Sequence, residues 1–152
     1  MKFSRAVSLF AFAVLLAGCA DPGRGWMGSP LKDTSWQLVT VESRAKDGER
    51  QYVASQVDIT MTLRASGDAA FTLGCEQGTT DWRATPDRVD TQGEIRFYAI
   101  EVAASSCEPD LIVSQFLDDV TFLKGYVLIQ NHLYLDTEAN EKTYGWRKLS
   151  SQ

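Results

Sequence analysis

The sequence predicts a mainly β domain of the α+β kind: an antiparallel, twisted, partly closed sheet of about eight strands with one covering helix. Three observations predict it. Val57, Ile59, Met61 and Leu63 alternate with Asp58, Thr60, Thr62 and Arg64, the period of a half-buried strand. Runs rich in β-branched and aromatic residues recur between turn-forming clusters. A single stretch, from Pro109 to Val120, carries apolar residues at helical spacing.

Taken in order, Thr34 to Glu42 reads as the opening strand, because Trp36, Leu38, Val39 and Val41 sit among threonines. The alternating strand around Ile59 follows. Ser66-Gly67-Asp68 turns the chain, and Phe71, Leu73 and Cys75 continue on a returning strand. Thr91-Gln92-Gly93 reads as a turn before a strand from Ile95 to Val102. In the helix, Pro109 suits a first turn, and Glu108 and Asp110 favour the positive end of the helix dipole. Ile112, Val113, Phe116, Leu117 and Val120 form its apolar stripe. Tyr126–Ile129 and Leu133–Leu135 flank Gln130-Asn131-His132, a short hairpin connection. Asp136 to Lys142 is a polar turn, and Thr143 to Leu149 closes the sheet. Trp36 and Trp146, in the first and last strands, are placed to close a barrel.

The chain has 152 residues, enough for one domain. Apolar residues make up 44%, so a core can be filled. The net charge is −5. An acidic chain without a basic cluster argues against nucleic acid as a partner and against electrostatic binding to anionic lipid.

The N-terminus has its own logic. Lys2 and Arg5 precede an apolar run from Ala6 to Leu16, eleven residues long. A spanning helix needs about 20 apolar residues, so the run is too short to remain as an anchor. Leu16-Ala17-Gly18-Cys19 resembles the lipobox of bacterial lipoproteins. The resemblance implies a signal peptide at 1–18, cleavage before Cys19, and acyl chains on that cysteine. Two or more chains give stable anchoring, at roughly 0.8 kcal/mol per buried CH₂. Cleavage removes Lys2 and Arg5 and leaves 13 basic against 20 acidic residues, or −7. Ala20 follows the cysteine in place of the aspartate associated with inner-membrane retention, which points to an outer membrane, facing the periplasm. Residues 19–31, rich in Gly and Pro, read as lipidated cysteine plus tether, and 32–152 as the domain.

Within the domain, Thr34-Ser35-Trp36-Gln37-Leu38 resembles the opening motif of the META/HslJ-like family. Gly74-Cys75 resembles the first half of its Gly-Cys-Asn signature, with Glu76 in place of the asparagine, and Trp82 sits where that family has an aromatic. Ala104-Ser105-Ser106-Cys107, Phe116-Leu117, Tyr126 and Leu133-Tyr134-Leu135 resemble its later segments. The resemblance covers roughly Leu31 to Leu149. It implies a cracked β-barrel with one helix, and a role in envelope stress, drug tolerance or virulence without an established enzyme activity.

With Cys19 lipidated, Cys75 and Cys107 remain. An oxidising envelope favours a bridge between them, closing about 33 residues and worth roughly 3.7 kcal/mol by loop entropy. The alternative is two buried free thiols. No metal or cofactor is expected, since two distant cysteines and one histidine fall short of four zinc ligands. Asp136, Glu138 and Asn140 begin like a calcium loop, but Glu141 and Arg147 stand where glycine and glutamate belong. His132 is the sole histidine and falls at a hairpin corner, and no Gly-x-Ser-x-Gly elbow exists. Asp118-Asp119 are expected to end the helix facing water. Glu94 and Glu101 are carboxylates that no sequence rule pairs. Trp36, Leu38, Phe71, Leu73, Phe97, Phe116 and Tyr134 are the candidates to line either the core or an apolar groove. The expected function is binding without catalysis, by a lipid-anchored envelope protein whose partner is an envelope protein or an apolar ligand. The alternatives are a lysozyme-type inhibitor, although the Ser-Ala-Ser-Gly-Ala loop of one such group is absent, and a small periplasmic hydrolase.

Overall fold

The computed structural model describes residues 28–43, 50–52, 57–86, 90–103, 108–138 and 141–150. The signal segment, Cys19, Cys107 and Asn140 lie outside the described residues. Eight antiparallel strands close into a barrel: β1 (Thr34–Ser43), β3 (Ile59–Leu63), β4 (Asp68–Leu73), β5 (Glu76–Thr85), β6 (Gln92–Phe97), β8 (Leu123–Ile129), β9 (His132–Thr137) and β10 (Lys142–Lys148). Two short strands add to this frame, β2 (Arg50–Tyr52) on β1 and β7 (Glu101–Val102) on β5. Pairing of β1 with β10, from Trp36 opposite Lys148 to Ser43 opposite Lys142, makes the closure. The mainly β barrel with one helix is therefore as the sequence predicts.

The inward face of each strand explains its position. In β1 Thr34, Trp36 and Leu38 point inward, and then the phase slips, so that Val41 is the next buried residue. A bulge at Val39 causes the slip, because Leu38 pairs with Trp146 while Thr40 pairs with Gly145. A second bulge falls at Lys124 in β8. The seam is shortest between β6 and β8, which pair only from Gln92 to Glu94. The chain between them carries α1 (Leu111–Asp119) and a 3-10 turn, Val120–Phe122. Asp110 caps α1 by accepting from the backbone N of Ile112 at 2.9 Å. The cap sits one residue after Pro109, so the proline precedes the helix.

Strand directions define two ends. At the entry end lie residues 28–33, the β3–β4 turn, the Gln130-Asn131 turn and the end of β10. At the helix end lie the β4–β5 corner, Glu138, Glu141 and α1. Leu31 is fully buried at the entry end, so the packed domain begins before the expected boundary at residue 32. Ser29 is buried as well, and Thr34 Oγ1 donates to the Leu31 carbonyl at 2.5 Å. Trp36 Nε1 donates to Thr34 Oγ1 at 2.7 Å.

Several expected boundaries move. Thr91-Gln92-Gly93 is no turn: Gln92 and Gly93 open β6, opposite Val127 and Tyr126. The single strand expected over Ile95–Val102 divides into β6 and β7. Cys75 stands in the corner after β4, where Gly74 takes a positive φ of 67°. His132 is the first residue of β9, paired with Ile129, and leaves a two-residue connection in which Gln130 has φ 55°. The sequence reading left β5 without a strand of its own.

Candidate functional site

Six of the seven candidate groove residues fill the barrel interior. Trp36, Leu38, Phe71, Leu73, Phe97 and Phe116 are all buried. Phe116 is the hub. Its ring meets Phe71 at 5.6 Å, and Tyr144 and Trp146 at 5.5 Å each, the last two edge-on. Phe71 in turn meets Phe97 at 5.9 Å. The helix thus inserts an aromatic plug into the barrel instead of spanning an open groove. Tyr134 is the exception and a correction. It lies between the inward Leu133 and Leu135, so the strand period turns it to the outer face, opposite Gly145 and 6.4 Å from the stacked ring of His132. His132 itself is exposed on that outer face.

A polar cluster holds the plug in place. Asp119, expected in water, is instead the fastening of α1 to the last strand. Its Oδ2 accepts from Tyr144 Oη at 2.5 Å and from Lys142 Nζ at 2.5 Å. Tyr144 is buried, which pushes its phenol far above the ordinary value, and the hydrogen bond to Asp119 adds to the shift. The nearby charges of Asp119 and Asp118 act in the same direction. Trp146 Nε1, also buried, has no hydrogen-bond partner among the described residues.

The other singled-out carboxylates stand apart. Glu94 on β6 and Glu101 on β7 are both exposed. Asp136 accepts from Thr143 Oγ1 at 2.5 Å, and Glu138 pairs with Lys124 at 3.3 Å. Among the described residues no group of three His, Cys, Asp or Glu side chains could hold a metal ion. Cys75 is exposed in its corner.

The sequence reading did not point to the large apolar side chains that reach the surface. Leu111 is 71% exposed, Phe122 58% and Tyr98 53%, and Val102 is also partly exposed. Tyr98 and Phe122 border one open depression of about 340 Å³, with Arg96, Thr121, Lys124 and Glu138. Its neighbour of about 370 Å³ runs from Phe122 to Asp119 and Lys142. Both depressions lie against the C-terminal end of α1 and the 3-10 turn that follows it. The signal was present in Leu111 and Phe122, which lie off the apolar stripe.

No family model and no curated protein matches the chain. A crystal structure of a DUF4847 family protein from Bacteroides vulgatus is similar in fold, with a TM-score of 0.58 at 14% identity, covering 81% of this chain and 97% of that one.

Proposed function

We propose that this chain is a lipid-anchored cell-envelope protein whose barrel binds a protein partner through the flank of α1, without catalysis. The observation that carries the reading is the pair of exposed aromatic side chains on one depression beside the turn after α1, Phe122 and Tyr98, with Leu111 exposed on the helix itself. A small domain with a filled core gains nothing in stability by leaving such groups in water, and exposed apolar patches mark interaction sites. The lipobox-like Leu16–Cys19 and the META/HslJ-like segments support the compartment and the envelope role. A bridge from Cys75 to Cys107 belongs to the same reading.

The test is crosslinking capture from native membranes, with Phe122→Ser beside the natural chain. A specific partner that is lost in Phe122→Ser, at unchanged thermal midpoint, is the expected result. Capture that ignores Phe122, Tyr98 and Leu111 alike removes the helix flank from the proposal.

A second reading has one observation in its favour. Exposed Asp118, Glu138 and Glu141 surround the helix end, and such a rim complements a basic enzyme of the lysozyme type. Inhibition of purified lysozymes at low salt distinguishes it from the first.

A further inference from the structure

We infer that the depression between Tyr98 and Phe122 receives an acidic peptide segment of the partner, with an apolar side chain between the two rings and a carboxylate on Arg96. The inference rests on the proposed binding role of the helix flank and adds the chemistry of the partner to it.

The depression exists because the barrel parts there. Pairing of β6 with β8 stops at Glu94 opposite Gly125, and β8 is bulged at Lys124. On its other side β6 stays paired with β5 to Phe97, and the Tyr98 backbone N still donates to the Asp81 carbonyl at 3.2 Å. The opposite lip is the 3-10 turn Val120–Phe122 and the start of β8. The alternation of β6 buries Ile95 and Phe97 and turns Arg96 outward. The result is a cleft of about 340 Å³ with one exposed ring on each lip. Ligand sites run from about 300 to 1,000 Å³, so this one takes a short segment. An apolar side chain between Tyr98 and Phe122 removes water from both rings.

Charge decides the rest of the occupant. Three charged side chains border the cleft: Arg96, Lys124 and Glu138. Lys124 and Glu138 pair with each other at 3.3 Å. Arg96 is exposed and has no ion pair among the described residues. The register sets it directly opposite Arg83, and like charges in that position destabilise a sheet. Asp81 and Glu94 lie two positions along the two strands on the same face, yet neither closes a pair with either guanidinium. An arriving carboxylate gains the guanidinium fork and offsets the repulsion. A phosphate-rich or anionic lipid surface fits less well. The cleft holds a single unmatched cation, such surfaces need several, and Asp81, Glu94 and Glu141 stand close by.

The probe is a capped tetrapeptide, acetyl-Asp-Trp-Asp-Leu-amide, beside its neutral isostere with asparagine at both acidic positions. Each is titrated into isotope-labelled mature protein held in a zwitterionic detergent, and backbone amide shifts are followed residue by residue. The acidic peptide should shift amides 96–98 and 121–124. It should bind about fivefold tighter than the isostere, the effect of one exposed ion pair at the top of its range. Arg96→Gln should remove that preference without lowering the thermal midpoint, because the like-charge contact goes with it. Arg83→Gln, outside the cleft, should keep the preference, and Phe122→Ser should weaken both peptides together. Equal affinity for the two peptides, a preference that survives Arg96→Gln, shifts centred elsewhere on the barrel, or no saturable shift at all overturns the proposal. Inorganic phosphate that reproduces the shifts of the acidic peptide overturns it too, and leaves a plain anion contact. In membrane capture, a partner lost with Phe122→Ser but kept with Arg96→Gln removes the carboxylate and leaves the helix-flank reading standing. Capture indifferent to Phe122, Tyr98 and Leu111 removes the flank, and this inference with it.

Discussion

The two ends of the barrel are sealed by different devices. At the entry end the plug is continuous with the first strand. Leu31 is buried three residues before β1, and a relay of short-range bonds joins Ser29, Leu31, Thr34 and Trp36. Every contact in that relay spans three residues or fewer. At the helix end the plug is a separate element, inserted between β6 and β8. It is held by the Phe116 aromatic hub and by Asp119, whose partners Lys142 and Tyr144 are 23 and 25 residues away in sequence. A local plug forms with its strand. A distant plug is held by contacts between residues far apart in sequence, and it brings new surface with it. The apolar groups that reach solvent on the α1 flank come with this second plug.

If the helix plug is the energetic keystone of its end, Phe116→Ala should produce the largest loss. A buried Phe→Ala costs about 3–5 kcal/mol. For a domain of this size each kcal/mol shifts the thermal midpoint by roughly 2–8 °C, so a large drop in Tm by calorimetry is expected. A loss below about 1 kcal/mol would mean that the hub rings close over the gap, and that α1 is an accessory.

Leu31→Ala probes the other end, with an expected loss of roughly 2–5 kcal/mol. The lower half of that range is expected, because the turn at 29–33 is free to settle inward over the gap. Urea unfolding at constant m measures it. No effect would show that Leu31 belongs to the tether after all, and that the entry end is closed by Trp36 alone.

The two ends also differ in what could be read from sequence. The helix was legible because its spacing is local and its stripe is unbroken. The alternating strands were legible where inward residues are large. β5 was not, because its inward positions are Gly78, Thr80 and Trp82, and only one of these looks apolar and bulky. Gly78 is there for room: a Cβ would lie 2.5 Å from Ile100 Cγ2. Gly93 misled for the same reason. It reads as a turn residue, yet a Cβ at that position would lie 2.3 Å from the Thr85 carbonyl, so close strand approach and not chain reversal selects glycine. Tyr134 was placed inward although the alternation of β9 turns it out. Asp119 could not be read at all, because nothing in Asp118-Asp119 reveals a buried phenol 25 residues away.

That buried phenol gives the next test. Tyr144→Phe removes a hydrogen bond to a carboxylate, worth about 1.5–3 kcal/mol, and leaves Asp119 with Lys142. It also has a pH signature. The folded state holds the Tyr144 phenol protonated well above its ordinary value of 10.0. Below that value folded and unfolded chains are equally protonated at this site, and its contribution is fully present. As pH rises above 10 the unfolded chain loses the proton and the folded chain keeps it, so stability falls, by at most about 1.4 kcal/mol per pH unit for one proton. Urea midpoints at pH 8 and pH 11 should drop more steeply for the natural chain than for Tyr144→Phe. Parallel slopes would detach the phenol from the fastening.

The smallest effect expected is at the start of the helix, and it separates fastening from formation. Asp110 closes the N-terminus of α1 through a single bond to the Ile112 amide, and it is exposed. Replacing such a cap by alanine costs about 1 kcal/mol, within a range of 0.5–2. If α1 is held mainly by Phe116 and Asp119, the loss in Asp110→Ala should be local. Amides 112–114 should exchange faster with solvent, while those of β1 and β10 keep the protection of global unfolding. The Tyr144 alkaline response should be unchanged, because the fastening lies at the opposite end of the helix. Exchange that rises equally in α1 and in β10 would mean that the helix and the barrel open together. The plug would then be as integral to its end as Leu31 is to the other, and the contrast between the two ends would be one of sequence distance alone.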